Sequence, residues 1–283
     1  MIKIERNIEN QLFRKIGSNK VILLFGTRRV GKTFLINSIQ KKFTGKQIIL
    51  NGEDFDVQEI FRKRTIANFK NIVGDAKLLI IDEAQVIPEI GQALKLMIDT
   101  NPELTIIATG SSSLDLINKS GEPLTGRFHP FNLYPIAQLE LKENILEARH
   151  HFDERIIYGS YPEIFNISTN NEKAAYLQQL VQSYLLKDIL AYSGIKHADK
   201  ISALLRLIAF QVGSEVSYNE LSNQLGISKI TVENYLDLLS KVFIIYKLPS
   251  YSSNQRSEVA KSSKWYFFDN GIRNAIINDG EHG

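Results

Sequence analysis

The chain has 283 residues, 34 of them Lys or Arg against 31 Asp or Glu, for a formal net charge of +3, and it has no cysteine. Its length suits two or three domains, and 43% hydrophobic with 23% charged residues is ordinary for a soluble globular protein. The lack of thiols excludes disulfides and Cys-ligated zinc or iron–sulfur centres. No apolar run approaches a bilayer span, and the stretch from Met1 to Asn7 mixes charges without an apolar h-region. Neither a membrane partner nor a secretory signal is therefore expected, and the chain reads as cytoplasmic. The charge balance does not call for nucleic acid, but it leaves room for it where basic residues cluster.

The first predicted strand, Val21–Phe25, runs into Gly26-Thr27-Arg28-Arg29-Val30-Gly31-Lys32-Thr33, and a helix-like run follows from Phe34. This is G-x-x-x-x-G-K-[ST] with a strand before it and a helix after it, the setting the motif requires. The glycines let backbone N–H groups curl around a phosphate chain, and the helix adds the positive end of its dipole. In this pattern residues 26–33 bind the nucleotide, Lys32 reaches the terminal phosphates, and the Thr33 hydroxyl holds Mg²⁺. Arg28 and Arg29 either screen phosphate charge or face solvent or a neighbouring subunit. The alternative is a tight strand-to-helix turn that merely contains Lys and Thr.

Further strands are expected at 47–50, 78–81, 104–108 and 128–133, with helices at 57–72 and 90–98. Strand and helix alternate as in a parallel α/β sheet, here of order 5-1-4-3-2. The third strand ends in Asp82-Glu83. Carboxylates there sit at the C-terminal edge of the sheet, where α/β ligands bind. Asp82 is expected to hold Mg²⁺ and Glu83 to orient and polarise the attacking water; the alternative is a simple helix cap. The fourth strand leads into Thr109-Gly110-Ser111-Ser112, whose tip would face a γ-phosphate. Ser111 is the preferred sensing contact, with Thr109 and Ser112 as rivals. Arg127, ahead of the fifth strand, is a candidate arginine finger acting in cis or in trans, against the plain reading of a surface arginine in a turn. A Ras-like guanine site would need Asn-Lys-x-Asp, and Asn118-Lys119-Ser120-Gly121 lacks the Asp.

After Pro135 the strand signals stop. An amphipathic helix is expected at 139–152, a break at Gly159-Ser160-Tyr161-Pro162, and a long helix at 172–192. From about Asp199 the order becomes helix (201–212), helix (218–225), turn (Gly226-Ile227-Ser228), helix (229–241), then two short strands (243–248 and 265–268) around a polar loop. That is the order of a winged helix-turn-helix. The expected division is a core at 1–136, a helical lid at 137–198 and a winged helix at 199–283.

These motifs together resemble the bacterial and archaeal AAA+-type ATPases with a winged helix. The resemblance is carried by Gly26 to Thr33, Leu78 to Glu83, Gly110-Ser111-Ser112 and Gly126-Arg127. It continues in Gly159-Ser160-Tyr161-Pro162 (where the family has Gly-Gly-Tyr-Pro), Leu225-Gly226-Ile227-Ser228, and Lys264 to Gly271. It implies an ATP-binding and ATP-hydrolysing core that uses Mg²⁺, a lid and a winged helix, and it strengthens Arg127 as a site residue. The adenine preference comes from the resemblance alone. Many relatives continue into a restriction-endonuclease-like domain. This chain ends before such a domain would begin, so no nuclease activity is carried over.

Duplex DNA is one expected partner. The contacts would come from Arg256, Lys261 and Lys264 on the wing and from Asn234 on the second helix of the turn. On that helix Lys229 and Lys241 are offset by Glu233 and Asp237, which speaks against a phosphate-seeking face. The competing expectation is a nucleotide-gated switch with slow hydrolysis that engages protein partners or further copies of itself.

Overall fold

The computed structural model describes residues 4–111, 124–185, 189, 198–249 and 263–278. The chain divides into two compact units that meet in sequence at Leu133 and Tyr134. Ser112, Arg256 and Lys261 lie outside the described residues, as do 186–188 and 250–262.

The first unit is built on a five-stranded parallel sheet of order β2-β3-β4-β1-β5. The strands are β1 Val21–Phe25, β2 Gln47–Asn51, β3 Leu78–Asp82, β4 Thr105–Gly110 and β5 Phe128–Asn132. This is the expected order read from the other edge. β1 and β4 are buried along their whole length, and β3 is buried up to Asp82. They are the runs with hardly a polar residue, as strands covered on both faces must be. The edge strands β2 and β5 alternate in exposure.

Helix α2, Lys32–Lys42, lays Leu35, Ile36 and Ile39 against Ile22, Leu24 and Ile80. Burying each such side chain is worth about 1.5–3 kcal/mol. Helix α1, Ile8–Phe13, was not anticipated. It is fixed to α2 through the buried Glu9 carboxylate, which accepts from Ser38 Oγ at 2.8 Å and pairs with Lys42 at 2.7 Å. The single helix expected at 57–72 is two, α3 Phe55–Arg62 and α4 Ile66–Val73. Thr65 is extended and its hydroxyl accepts from Asn68 N–H, so it starts a new helix where periodicity alone suggested continuation. Helix α5, Ile90–Thr100, returns the chain to β4.

The second unit is helical with a small sheet. The helix expected at 139–152 is instead a 3-10 turn, Gln138–Glu140, followed by the short helices Ile145–His150 and Phe152–Tyr158. The Asn144 side chain caps the first of these through Leu146 and Glu147 N–H. Helix Asn170–Leu180 passes into a π-helical turn at Val181–Leu185. Next come helix Ala198–Phe210, β6 Glu215–Val216, helices Tyr218–Leu225 and Lys229–Lys241, β7 Ile245–Leu248 and β8 Ser263–Phe267. The three strands form an antiparallel sheet, β6-β8-β7. Gly226, with φ of 65°, supplies the left-handed turn between the two helices. One hydrophobic cluster takes Tyr161, Leu177 and Ile189 together with Ile201, Leu221, Leu236, Trp265 and Ile276. The regions on both sides of residue 199 therefore share a core.

A closing helix, Asn270–Asn278, is locked to the Gly159-Ser160-Tyr161-Pro162 break by the buried Asp269. Its carboxylate accepts Ser160 N–H at 2.7 Å and Ile272 N–H at 3.1 Å. A Cβ on Gly159 would lie 2.0 Å from Asp269 Oδ1, and one on Gly271 2.2 Å from the Tyr158 carbonyl, so both positions need glycine. Two stretches that look separate in sequence are thus the halves of one contact.

Burial pushes the Asp269 carboxyl up to about 6, against the backbone N–H groups that favour the anion. A raised folded-state value means that protonation stabilises the fold as pH falls from above 6 towards the unfolded value. Relative to Asp269→Asn, the wild type should gain on the order of 1 kcal/mol between pH 7 and pH 5. Urea denaturation of both proteins at the two pH values checks this.

Candidate active site

Parallel register brings the ends of β1, β3 and β4 to one edge of the sheet. Phe25 lies level with Gly110, Ile81 with Ala108, and Asn51 with Asp82. The residues that follow these ends, 26–33, 83–85 and 111, therefore start from a common line.

The glycine-rich loop curls there as the motif requires. Gly26 has φ of 154°, and a Cβ on it would stand 2.4 Å from the Leu133 carbonyl oxygen. Arg29 and Gly31 take left-handed φ values of 65° and 103°. Gly31 is the N-cap of α2, so the loop faces the positive end of that helix. Lys32 is buried, and its ammonium donates to the loop's own carbonyls, Gly26 O at 2.9 Å and Thr27 O at 3.2 Å. Arg28 lies 4.0 Å from Glu53. The loop has a further support that the motif does not contain: buried Arg6 donates to Val30 O at 3.0 Å.

The acidic corner meets this loop. Thr33 Oγ1 donates to Asp82 Oδ2 at 3.1 Å, which puts two hard oxygens of the kind Mg²⁺ takes within reach of each other. The residues present fit that ion. Thr109, weighed above only as a rival to Ser111, is central: its hydroxyl donates to Asp82 Oδ1 and accepts Glu83 N–H at 3.0 Å. Glu83 has a left-handed backbone, φ 50° and ψ 42°, a conformation that costs a non-glycine residue about 1–2 kcal/mol. Its Oε1 lies 4.0 Å from Lys32 Nζ. Gln85 Nε2 donates to Glu83 Oε2 at 2.6 Å and to Ser111 Oγ at 3.4 Å. Ser111 thus reaches the corner through Gln85.

Gly52, just beyond β2, is a second support that the motif reading missed. Its N–H donates to Asp82 O at 2.7 Å, and a Cβ on it would lie 2.4 Å from Glu83 O. The sequence signal was there, a lone glycine directly after an edge strand and level with the acids.

Arg127 is elsewhere. It precedes β5, and its carbonyl accepts Val21 N–H at the start of β1. Five residues of strand separate Val21 from Gly26, about 16 Å of rise. Arg127 also pairs with Asp99 at 2.9 Å. A role on this chain's own loop is therefore corrected: in a parallel sheet the residue before a strand lies at the edge opposite the phosphate loop. In the second unit, Asn234 is exposed on helix Lys229–Lys241, where Lys229 pairs with Glu233 at 3.9 Å and Lys241 with Asp237 at 2.6 Å. Lys264 is exposed on β8, in register with Glu215. Among the described residues no cluster of three or more His, Asp or Glu could hold a metal, and no helix is long and apolar enough to cross a membrane.

Comparison with known proteins agrees with this geometry. Residues 18–142 match the family described as an AAA domain, and residues 149–282 match a domain of unknown function, DUF8612. An uncharacterized protein of Haemophilus influenzae is 24% identical over 96% of this chain, and one of Methanocaldococcus jannaschii is 26% identical over 94%. The chain spans 72% of the first relative's length and 63% of the second's. Among solved structures, the Walker-type ATPase paby2304 of Pyrococcus abyssi superposes with a TM-score of 0.66 at 16% identity, covering 97% of this chain and 96% of that one, and so shares its fold.

Gly52→Ala should displace the Asp82–Glu83 corner, because the atom it meets is backbone and cannot swing away. A loss of roughly 1–3 kcal/mol is expected, measured by urea denaturation.

Proposed function

We propose, for a chain whose residues 18–142 match an AAA domain, that residues 26–33 bind Mg·ATP and that Glu83 drives its hydrolysis to ADP and phosphate. The observation that carries this reading is the meeting of Lys32, Thr33, Asp82, Glu83 and Thr109 at one sheet edge. Backbone N–H groups of the loop and the Lys32 ammonium take the phosphate charge. Mg²⁺, when bound by Thr33 and Asp82, supplies charge neutralisation on the β- and γ-phosphate oxygens. Glu83 orients a water molecule in line with the γ-phosphorus and draws off its proton. Thr109 holds both acids in place, Asp82 by its side chain and Glu83 by its backbone. Ser111 senses the γ-phosphate. Arg127, in this reading, acts only on a neighbouring copy's site.

Steady-state turnover tests the assignment. Glu83→Gln should lower kcat about 100-fold or more while ATP binding survives, and Lys32→Ala should lose binding itself. Unchanged turnover in Glu83→Gln would remove Glu83 from the mechanism.

The nucleotide state is then passed to the second unit, whose helix–turn–helix and hairpin order is that of a winged helix. Lys264 and Asn234, with Arg256 and Lys261, would meet duplex DNA. A second reading, a nucleotide-gated switch for a protein partner, is favoured by one observation: both lysines of helix Lys229–Lys241 are engaged by acids on the same helix. A DNA-coupled enzyme should show turnover raised several-fold by duplex DNA, with the effect fading between 50 and 200 mM salt as counterion release dictates. A protein switch should show no response to DNA at either salt, but ATP-dependent assembly or protease protection.

A further inference from the structure

Gln85 is the middle residue of the short 3-10 turn Ala84–Val86, two residues beyond Glu83, and the proposed hydrolysis leaves it without a task. Its amide nitrogen donates to Glu83 Oε2 at 2.6 Å and to Ser111 Oγ at 3.4 Å. A primary amide carries two N–H hydrogens and one acceptor oxygen. Both hydrogens go to residues assigned to the chemistry, while the oxygen, Gln85 Oε1, is buried with no hydrogen-bond partner among the described residues. A glutamine kept for packing or for a local turn satisfies its carbonyl, because a buried orphan acceptor is costly. Here the amide is turned the way that serves Glu83 and Ser111 at its own expense.

Two consequences follow from the donor pattern. Donation to one oxygen fixes the rotation of the Glu83 carboxylate and leaves the other, Oε1, as the oxygen 4.0 Å from Lys32 Nζ, on the side of the phosphate-binding lysine. Donation to Ser111 Oγ occupies a lone pair of that hydroxyl and frees its hydrogen for an outside acceptor such as a phosphate oxygen.

We propose that Gln85 is a positioning residue that clips the hydrolytic base to the γ-phosphate sensor, so that Glu83 and Ser111 become competent together. This rests on the reading of Glu83 and Ser111 given under the proposed function. Loss of the clip should affect the chemical step and the distinction between triphosphate and diphosphate, and should leave general nucleotide affinity intact.

The test compares wild type, Gln85→Met, Ser111→Ala and the double variant. The readouts are steady-state ATP turnover, and affinities for ATPγS and ADP measured by displacement of a fluorescent nucleotide. Gln85→Met keeps the length and loses the donors. Gln85→Asn, an amide too short to span both partners, serves as a second variant, and thermal melting confirms that each protein folds. We expect kcat to fall about tenfold or more with KM within about twofold, and the ATPγS-to-ADP affinity ratio to drop about threefold. In the Ser111→Ala background the loss from Gln85→Met should shrink, because the two changes break one connection. Unchanged kcat, a loss confined to KM, or losses that simply multiply would overturn the clip. A wild type that binds ATP without turning it over would refute Glu83 as the base. The clip would then stand or fall on the affinity ratio, and an unchanged ratio would end it.

Discussion

The Thr109 hydroxyl is the contact on which the loop-bearing edge of the sheet depends. It donates to the Asp82 side chain and accepts the Glu83 backbone N–H, and Thr33, the last residue of the phosphate loop, reaches the same Asp82 from the other side. These bonds join the ends of β3 and β4 to the start of α2, the helix that follows β1. The corner they hold is strained, with Glu83 in the left-handed region. Its N–H, bonded to the buried Thr109 hydroxyl, and its carbonyl, which accepts Val86 N–H, hold that conformation in place. Gly52 makes the remaining room by leaving out a side chain where the next strand end presses on the Glu83 carbonyl.

The second unit follows the same logic with different chemistry. A buried carboxylate, Asp269, stands where two backbone segments approach too closely for any residue but glycine. The hydrophobic cluster beneath runs continuously from Tyr161 to Ile276. A displacement imposed on the helices around residues 161–189 must therefore be carried by the helix–turn–helix and its hairpin, because separating them would expose shared core.

Much of this was legible in the chain. The order of the parallel sheet, the glycine-rich loop and the acids after Ile81 follow from local patterns, since apolar runs of strand length, glycines at fixed spacing and strand-end carboxylates carry their meaning within a few residues. Less legible were the breaks inside apparently continuous helices. The cap at Thr65 competes with an unbroken apolar period, and a side-chain hydrogen bond decides the outcome. The glycine and Asp-Asn-Gly stretches of the second unit were visible as motifs, but their physical cause was not, because each is explained by the other 109 residues away.

The sequence by itself determined the glycine-rich loop and the strand-end acids, because those groups are set by residue type at short spacing. Only the tertiary structure decided which of them meet. It placed Thr109 rather than Ser111 on the acids, brought in Gln85, Gly52 and Arg6 as supports, and set Arg127 at the far edge. Strand direction and register fix where a side chain ends up, and these are settled by pairing between segments distant in the chain, which no local pattern records.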